Sequence, residues 1–356
     1  MLKDAVPLGE IARALVVQLR HHGDVLLAAP VLGVLKAHAP MVELDALVYD
    51  DTAQLLSGHP ALEELYVVGR GWRTMPLPWR VLAEWRLFAA LRARRYDLLV
   101  HLSEQPRGAW LARTLGARYR VAPIVPGRGA FWRESFTHLY PVAGRRHRVE
   151  LNLDALRRIG IQPAMDERRV AFVPGAAAEE RVSALLADQG LAERGYVHMH
   201  PASRWDFKCW PAEKNAELIG RLADAGHRVV LTAAPEGSEL AFIAEIVRRA
   251  RGTPVDLAGK LSIKELGALA ARARLFVGVD SMPMHLAAAM GTPVVALFGP
   301  SGEIEWRPWG AAHRIVASGH SCRPCGYDGC GGGKVSECLT TLPVEAVLAA
   351  ARELLG

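Results

Sequence analysis

Two successive series of short apolar strand and amphipathic helix restrict this chain more than any other feature of its sequence. ALVVQL (14–19) reads as a buried strand, residues 24–38 read as a helix, and VELDALVY (42–49) reads as a second buried strand. Strand, helix and strand within about 35 residues form a βαβ unit, which requires a parallel sheet with a right-handed crossover. ELYVVG (64–69), a helical stretch over 79–95, YDLLVHL (96–102) and a helix over 107–115 continue the pattern. They predict five or so parallel strands in one doubly wound domain. Residues 119–174 are irregular and basic, and 146–160 is their one clear helix. The alternation then resumes with YVHMHP (196–201), RVVLTAA (228–234), VDLAG (255–259), LFVGVD (275–280) and PVVALFGP (293–300), separated by helices over 211–225, 238–251, 263–273 and 284–290. The fold class is α/β. The halves share a grammar without repeating in sequence, which marks a repeated architecture rather than a solenoid.

The chain of 356 residues exceeds what one core usually serves, so two domains are expected. With 51% apolar and 22% charged residues it is neither disordered nor fibrous. Its formal charge of +6 favours anionic partners without naming one. The N-terminus lacks the basic, apolar, small-residue order of a signal peptide, and no apolar run approaches the roughly 18 residues of a membrane span. A cytoplasmic protein is expected, with any membrane contact peripheral.

Three turns carry the chemistry. In LFVGVDSMPMHLAAAMGTPVVALFGPS (275–301) a buried strand ends in Asp280-Ser281 and a small-residue helix begins near Pro283. Ligands of open α/β sheets bind at the carboxyl ends of strands, where helix N-termini favour anions. The bland reading is that Asp280 and Ser281 cap the helix and His285 packs in the core. HPASRWDFKCWP (200–211) places Ser203, Arg204 and Lys208 at a second such turn, suited to a departing diphosphate or to a solvated loop. LRHHGDVLLAAPVL (19–32) runs the first strand directly into Gly23-Asp24. A carboxylate there serves either as a general base or as a helix N-cap, and His21 and His22 face acceptor or solvent.

LRHHGDVLLAAPVLGVLKAHAP, the H-P-A-S-R-x-D-x-K-x-W-P block, VDSMPMHLAAAMGTPVVALFGPSG and CRPCGYDGCGGGKVSECLTTLP together resemble the ADP-heptose:lipopolysaccharide heptosyltransferases of glycosyltransferase family 9, most closely the heptosyltransferase III type. The likeness spans nearly the whole chain in the family's order. It implies a GT-B fold, two Rossmann-like domains facing across a cleft: residues 1–170 for the acceptor, 171–342 for the nucleotide sugar, and a final helix in 343–356 crossing back to the first domain. It further implies inverting transfer of L-glycero-D-manno-heptose from ADP-heptose to a heptose of the phosphorylated lipopolysaccharide inner core, with no cofactor required for catalysis. By this resemblance Asp24 is the catalytic base and Lys208 contacts the donor diphosphate. Ser203 and Arg204 share that donor loop, and Asp280, Ser281, Met282 and His285 hold phosphate and heptose. Leu261 falls where adenine is read through backbone atoms, Glu239 or Glu236 bonds the ribose, and His21 and His22 meet the acceptor. Met282 stands where many members have Gly, so a glycine-only backbone path there would be strained. A related transferase with another nucleotide sugar or acceptor, or a nucleotide-binding protein without catalysis, are the rival readings. No nucleic-acid module is recognisable.

Cys322, Cys325, Cys330 and Cys338 follow a C-x2-C-x4-C-x7-C spacing among turn-forming glycines. Three readings stand: a structural zinc knuckle with four thiolates, reduced free thiols, or oxidised pairs, the last disfavoured in a reducing compartment. Cys209 is expected to be a packed thiol. The stretch 71–97 interleaves Trp79 and Trp85 with Arg80, Arg86, Arg92, Arg94 and Arg95. It suits an anionic interface, or a partly buried helix with a solvated basic face.

Overall fold

The computed structural model describes residues 4–356, in two units that divide between Val173 and Pro174. The first unit holds one six-stranded sheet of β1 (Arg13–Val17), β2 (Glu43–Tyr49), β3 (Glu64–Val68), β4 (Leu98–His101), β5 (Tyr119–Pro123) and β6 (His138–Tyr140). Its spatial order is β3-β2-β1-β4-β5-β6, with every neighbouring pair parallel. The second unit holds β7 (Tyr196–His200), β8 (Arg228–Leu231), β9 (Val255–Asp256), β10 (Leu275–Val279), β11 (Val294–Phe298) and β12 (His313–Ala317). Read from β9 its order is β9-β8-β7-β10-β11-β12, again wholly parallel. Both sheets therefore run outward from their first strand, reverse, and continue on its other side. That is the doubly wound Rossmann topology, obtained twice.

The apolar runs became strands because helices cover both faces of each sheet, so every position on a central strand is buried. β7, β10 and β11 are buried along their whole lengths. In the second unit Val277 and Leu297 join a cluster with Leu218 and Leu222 of the helix Ala212–Asp224, while Phe276 and Phe298 join Met284 and Ala287 on the other face. The C-terminal helix Val344–Leu355, to which the resemblance gave a crossing-back role, places Val347, Ala351 and Leu355 in that first cluster of the second unit. Trp210 Nε1 and Lys214 Nζ both donate to the Leu342 carbonyl, at 3.1 and 2.8 Å, and fix the chain just before it.

Three elements differ from expectation. The helix expected over 24–38 is two, His22–Leu26 and Ala29–His38, with Pro30 in the first turn of the second, where its missing N–H costs no helical bond. The basic stretch 119–174, expected to be irregular apart from one helix, supplies β5, β6 and the helix Ala130–Ser135. These strands are only five and three residues long, so they show little periodicity of their own; pairing to β4 makes them. β12 was concealed in the same way, in a half-exposed segment at the sheet edge.

Gly278 lies where β10 passes β7, and a Cβ there would sit 2.9 Å from the His200 carbonyl oxygen and 2.7 Å from the Phe276 ring. Backbone cannot swing aside as a side chain can, so the strand itself must shift. Gly278→Ala is expected to cost about 1–3 kcal/mol, read as a lower urea midpoint for the second unit.

Candidate functional site

Strand order reverses beside β1 and beside β7, and the loops leaving neighbouring strands there part to opposite faces of the sheet, opening a crevice at the carboxyl ends. In the second unit the two loops that border it are the predicted ones, 201–211 after β7 and 280–281 after β10. They bring together two residues 72 apart in sequence: Lys208 Nζ donates to Asp280 Oδ2 at 2.7 Å. Asp280 is buried and Lys208 partly so, and the ammonium compensates a carboxylate that would otherwise be costly there. An ammonium has three donors, so this pair leaves Lys208 capacity for a further anion.

Ser281 is the N-cap of the helix Met282–Ala289, but its hydroxyl donates back to the Val279 carbonyl at 3.2 Å and makes no capping bond. Asp280 is likewise engaged by Lys208 rather than by helix amides. The capping explanation of this motif therefore fails, and the N-terminal amides of an eight-residue helix remain without a side-chain cap. Met282 is the first residue of that helix and is absent from the left-handed region, so the strain anticipated for replacing glycine does not arise. Pro283 follows within the first turn, where its missing N–H is harmless.

The remaining donor candidates spread around this centre. Ser203 is buried, and its Oγ accepts from the Trp205 amide at 3.3 Å, tightening the loop. Arg204 is exposed, its guanidinium 5.5 Å from the Trp205 ring centroid. His285 is buried one turn into the helix, its ring 6.1 Å from that of Trp306. Glu239 is buried at the start of the helix Gly237–Arg249 and accepts from the Ala234 amide at 2.9 Å; burial raises its pKa. Leu261 packs beside Leu257 and Leu269 and directly precedes Ser262, which caps the next helix in a capping box with Glu265. Behind the loop after β7, the buried rings of His198 and His200 both contact Thr232 Oγ1, at 2.7 and 2.9 Å. Their position at the end of a buried strand was legible, but their pairing through β8 was not.

In the first unit Asp24 lies in the helix His22–Leu26, whose N-cap is His21. It sits inside the helix, so it is no cap. Its side chain is 8% exposed and flanked by Arg148 Nη2 at 3.3 Å and Arg20 Nε at 3.7 Å. Of the neighbouring Arg146 and Arg148, the fold sends the first to Asp154 and the second to Asp24, 124 residues away. Gln18 Nε2 donates to the Asp24 carbonyl at 3.4 Å. His22 Nε2 is 3.0 Å from the Asp51 carbonyl, and His21 is exposed at the mouth of a cavity beside it. The other deeply buried carboxylate of this unit, Asp45, is saturated by Arg94 and the Tyr96 hydroxyl and has no capacity for chemistry.

The cysteine cluster supplies its turns as expected, with Gly326, Gly329, Gly331 and Gly332 all at positive φ. All five cysteines are free thiols: Cys338 is buried, Cys325 half-buried, and Cys322 and Cys330 exposed. Among the described residues no three or more His, Cys, Asp or Glu side chains gather so as to hold a metal ion. The thiols as placed do not fit the four-thiolate zinc set. Cys209 is half-buried, and burial pushes its thiol up to about 12.

Two doubly wound units in one chain, the second with a cation beside uncapped helix amides at its switch point, are the architecture of the GT-B class. The chain belongs to glycosyltransferase family 9 (heptosyltransferase), whose model matches residues 84–335. It is 37% identical over 343 residues to lipopolysaccharide heptosyltransferase 3 of Escherichia coli K12, covering 95% of this chain and 96% of that one. Its fold is similar to that of the glycosyl transferase family 9 structure from Veillonella parvula DSM 2008, with a TM-score of 0.85, 22% identity and 99% of each chain covered. It is also similar to the E. coli ADP-heptose lps heptosyltransferase II structure, with a TM-score of 0.75, 21% identity and 96% and 98% covered.

Burial holds four histidines neutral: His59 and His101 are lowered to about 4, and His198 and His200 to about 3. Above pH 6.5 both folded and unfolded chains leave them uncharged. Below it the unfolded chain takes up protons that the folded chain refuses until about pH 4 or 3. Stability is therefore lost as pH falls through this window, by about 1.4 kcal/mol per pH unit for each ring. Urea unfolding at pH 7.5 and 5.5 should show a lower midpoint at 5.5; unchanged midpoints would contradict the buried, neutral assignment.

Proposed function

We propose that this glycosyltransferase moves L-glycero-D-manno-heptose from ADP-heptose to a heptose of the phosphorylated lipopolysaccharide inner core, with inversion at the anomeric carbon. The names of its E. coli relative and of the structurally similar ADP-heptose lps heptosyltransferase II support the donor and acceptor class. The observation that carries the donor assignment is the Lys208–Asp280 pair beside the uncapped N-terminus of the helix Met282–Ala289.

Asp24 takes the proton of the acceptor hydroxyl as that oxygen bonds to the anomeric carbon. The bond from that carbon to the diphosphate oxygen breaks in the same displacement, and its electron pair leaves on ADP. Charge grows on the departing diphosphate, where the Lys208 ammonium and the amides at Ser281 and Met282 stabilise it. Asp280 orients Lys208 and accepts hydrogen bonds from the sugar. Glu239 meets the ribose, and the backbone around Leu261 reads adenine. Arg148 and Arg20 compensate the buried Asp24 carboxylate and hold it in one place. Each of these steps uses side chains and amides of the chain alone.

No helix among the described residues is long and apolar enough to cross a membrane. The helix Leu77–Ala93 exposes Trp79 and Trp85 at 62% each, beside Arg80 and Arg86. That supports a peripheral position at the cytoplasmic face of the membrane that carries the acceptor.

Asp24→Asn removes the base while keeping the shape and is expected to lower turnover by roughly 100-fold to 10,000-fold, with ADP-heptose affinity near wild type. Normal turnover would remove Asp24 from the mechanism. Binding of ADP, compared with UDP and GDP, tests the donor independently; failure to bind ADP would overturn the heptose assignment.

A further inference from the structure

The helix that carries Asp24 is too short to hold its own geometry. It spans five residues, His22–Leu26, and isolated helices shorter than about 12 residues are marginal in water. Pro30 has no N–H to give to the Leu26 carbonyl, and the chain interrupts its ladder at Leu27-Ala28 before the helix Ala29–His38 begins. In a continuous helix the Ala28 amide would go to the Asp24 carbonyl and the Val31 amide to the Leu27 carbonyl. Here Ala28 N–H donates to the Val25 carbonyl at 3.1 Å and Val31 N–H to the Ala28 carbonyl at 2.9 Å. Asp24 and Leu27 are both buried, so the freed carbonyls need partners from within the protein.

Two side-chain amides supply them. Asn152 Nδ2 donates to the Leu27 carbonyl at 3.0 Å, and Gln18 Nε2 to the Asp24 carbonyl at 3.4 Å. They come from two separate elements: Gln18 directly follows β1, and Asn152 lies on the helix Arg148–Arg158. Arg148 and Asn152 are four residues apart and so share one face of that helix, and Arg148 reaches the Asp24 carboxylate from it at 3.3 Å. Gln18 and Asn152 are both buried, and both line one small cavity together with Asp24. Gln18 Oε1 is buried with no hydrogen-bond partner among the described residues. Turning the amide over would set that oxygen against the Asp24 carbonyl oxygen, so Asp24 fixes its orientation although a buried acceptor is left unsatisfied. A leucine would fill the same space and leave no such atom.

We infer that Gln18 and Asn152 are positioning residues for the transfer reaction: by taking the carbonyls of Asp24 and Leu27 they fix the backbone of the short helix, and with it the direction of the Asp24 carboxylate. The inference rests on the reading of Asp24 as the base and deepens it. Arg148 and Arg20 act on the charge of that carboxylate, whereas Gln18 and Asn152 act on the main chain behind it. A base must lie within hydrogen-bond reach of the proton it takes, and a misplacement of about 1 Å can lower a rate by roughly 100-fold. One and a half turns of helix, pinned at two carbonyls from two elements, cannot drift in that way.

The test uses the full chain with Gln18→Leu and Asn152→Leu, which keep the bulk and remove the donor. Hydrogen–deuterium exchange read by mass spectrometry should show the amides of residues 22–28 exchanging about tenfold faster in each variant, as loss of one buried hydrogen bond implies, with the strands of the second unit unchanged. Unchanged exchange over 22–28 would overturn the inference. With ADP-heptose and truncated core acceptor, kcat should fall about tenfold or more while KM for both substrates stays within about twofold. A loss carried by KM, or an unchanged kcat despite faster exchange, would overturn the positioning role. Added to Asp24→Asn, each substitution should lower the residual single-turnover rate by less than about twofold, because the carboxylate it directs is already gone. The same tenfold loss in that background would show a structural role alone and overturn the inference. Should Asn152→Leu fail to fold, Gln18→Leu decides by the same readings. Should the wild type fail to use ADP-heptose, the functional reading falls, and exchange over 22–28 alone decides whether the two amides hold this helix.

Discussion

The reversal of strand order beside β1 and β7 is the constraint on which the rest of this molecule depends. A parallel sheet covered on both faces offers backbone and side chains to a ligand at only one place, the point where consecutive loops leave to opposite sides. Each unit has one such point. Asp24, Lys208, Asp280 and Ser281 all sit within eight residues of the ends of β1, β7 and β10, because there the buried strand interior gives way to chain that can turn.

Burial at these points sets the electrostatics. Asp24 and Asp280 are nearly inaccessible, and an isolated carboxylate so placed would be expensive. Each is offset by a cation brought from far along the chain, Arg148 for Asp24 and Lys208 for Asp280. In the second unit the same pairing presents an ammonium beside uncapped helix amides. In the first unit five arginines and one glutamate border a single cavity.

The long buried strands were readable because their apolar runs are continuous, and the turns after them were readable because Gly, Ser, Asp and Pro interrupt those runs abruptly. β5, β6 and β12 were not readable: they are short, partly exposed, and become strands through pairing to a neighbour. The capping explanation was the sensible local reading of both Asp24 and Ser281. It failed because Asp24 lies inside its helix and the Ser281 hydroxyl turns to the Val279 carbonyl. The cysteine spacing left a zinc knuckle, free thiols and oxidised pairs all open, because spacing does not determine where the thiols point; in the fold they are free thiols.

By itself the sequence determined the α/β class, its duplication, and the turns at which Asp24, Lys208 and Asp280 stand, since periodicity and turn chemistry act between residues a few positions apart. The tertiary structure decided which charges meet. The Lys208–Asp280 and Arg148–Asp24 contacts span 72 and 124 residues, and the arginine cavity draws on the ends of four strands and the segments that follow them. Such contacts depend on the order in which strands assemble, a property of the whole sheet that no local pattern encodes.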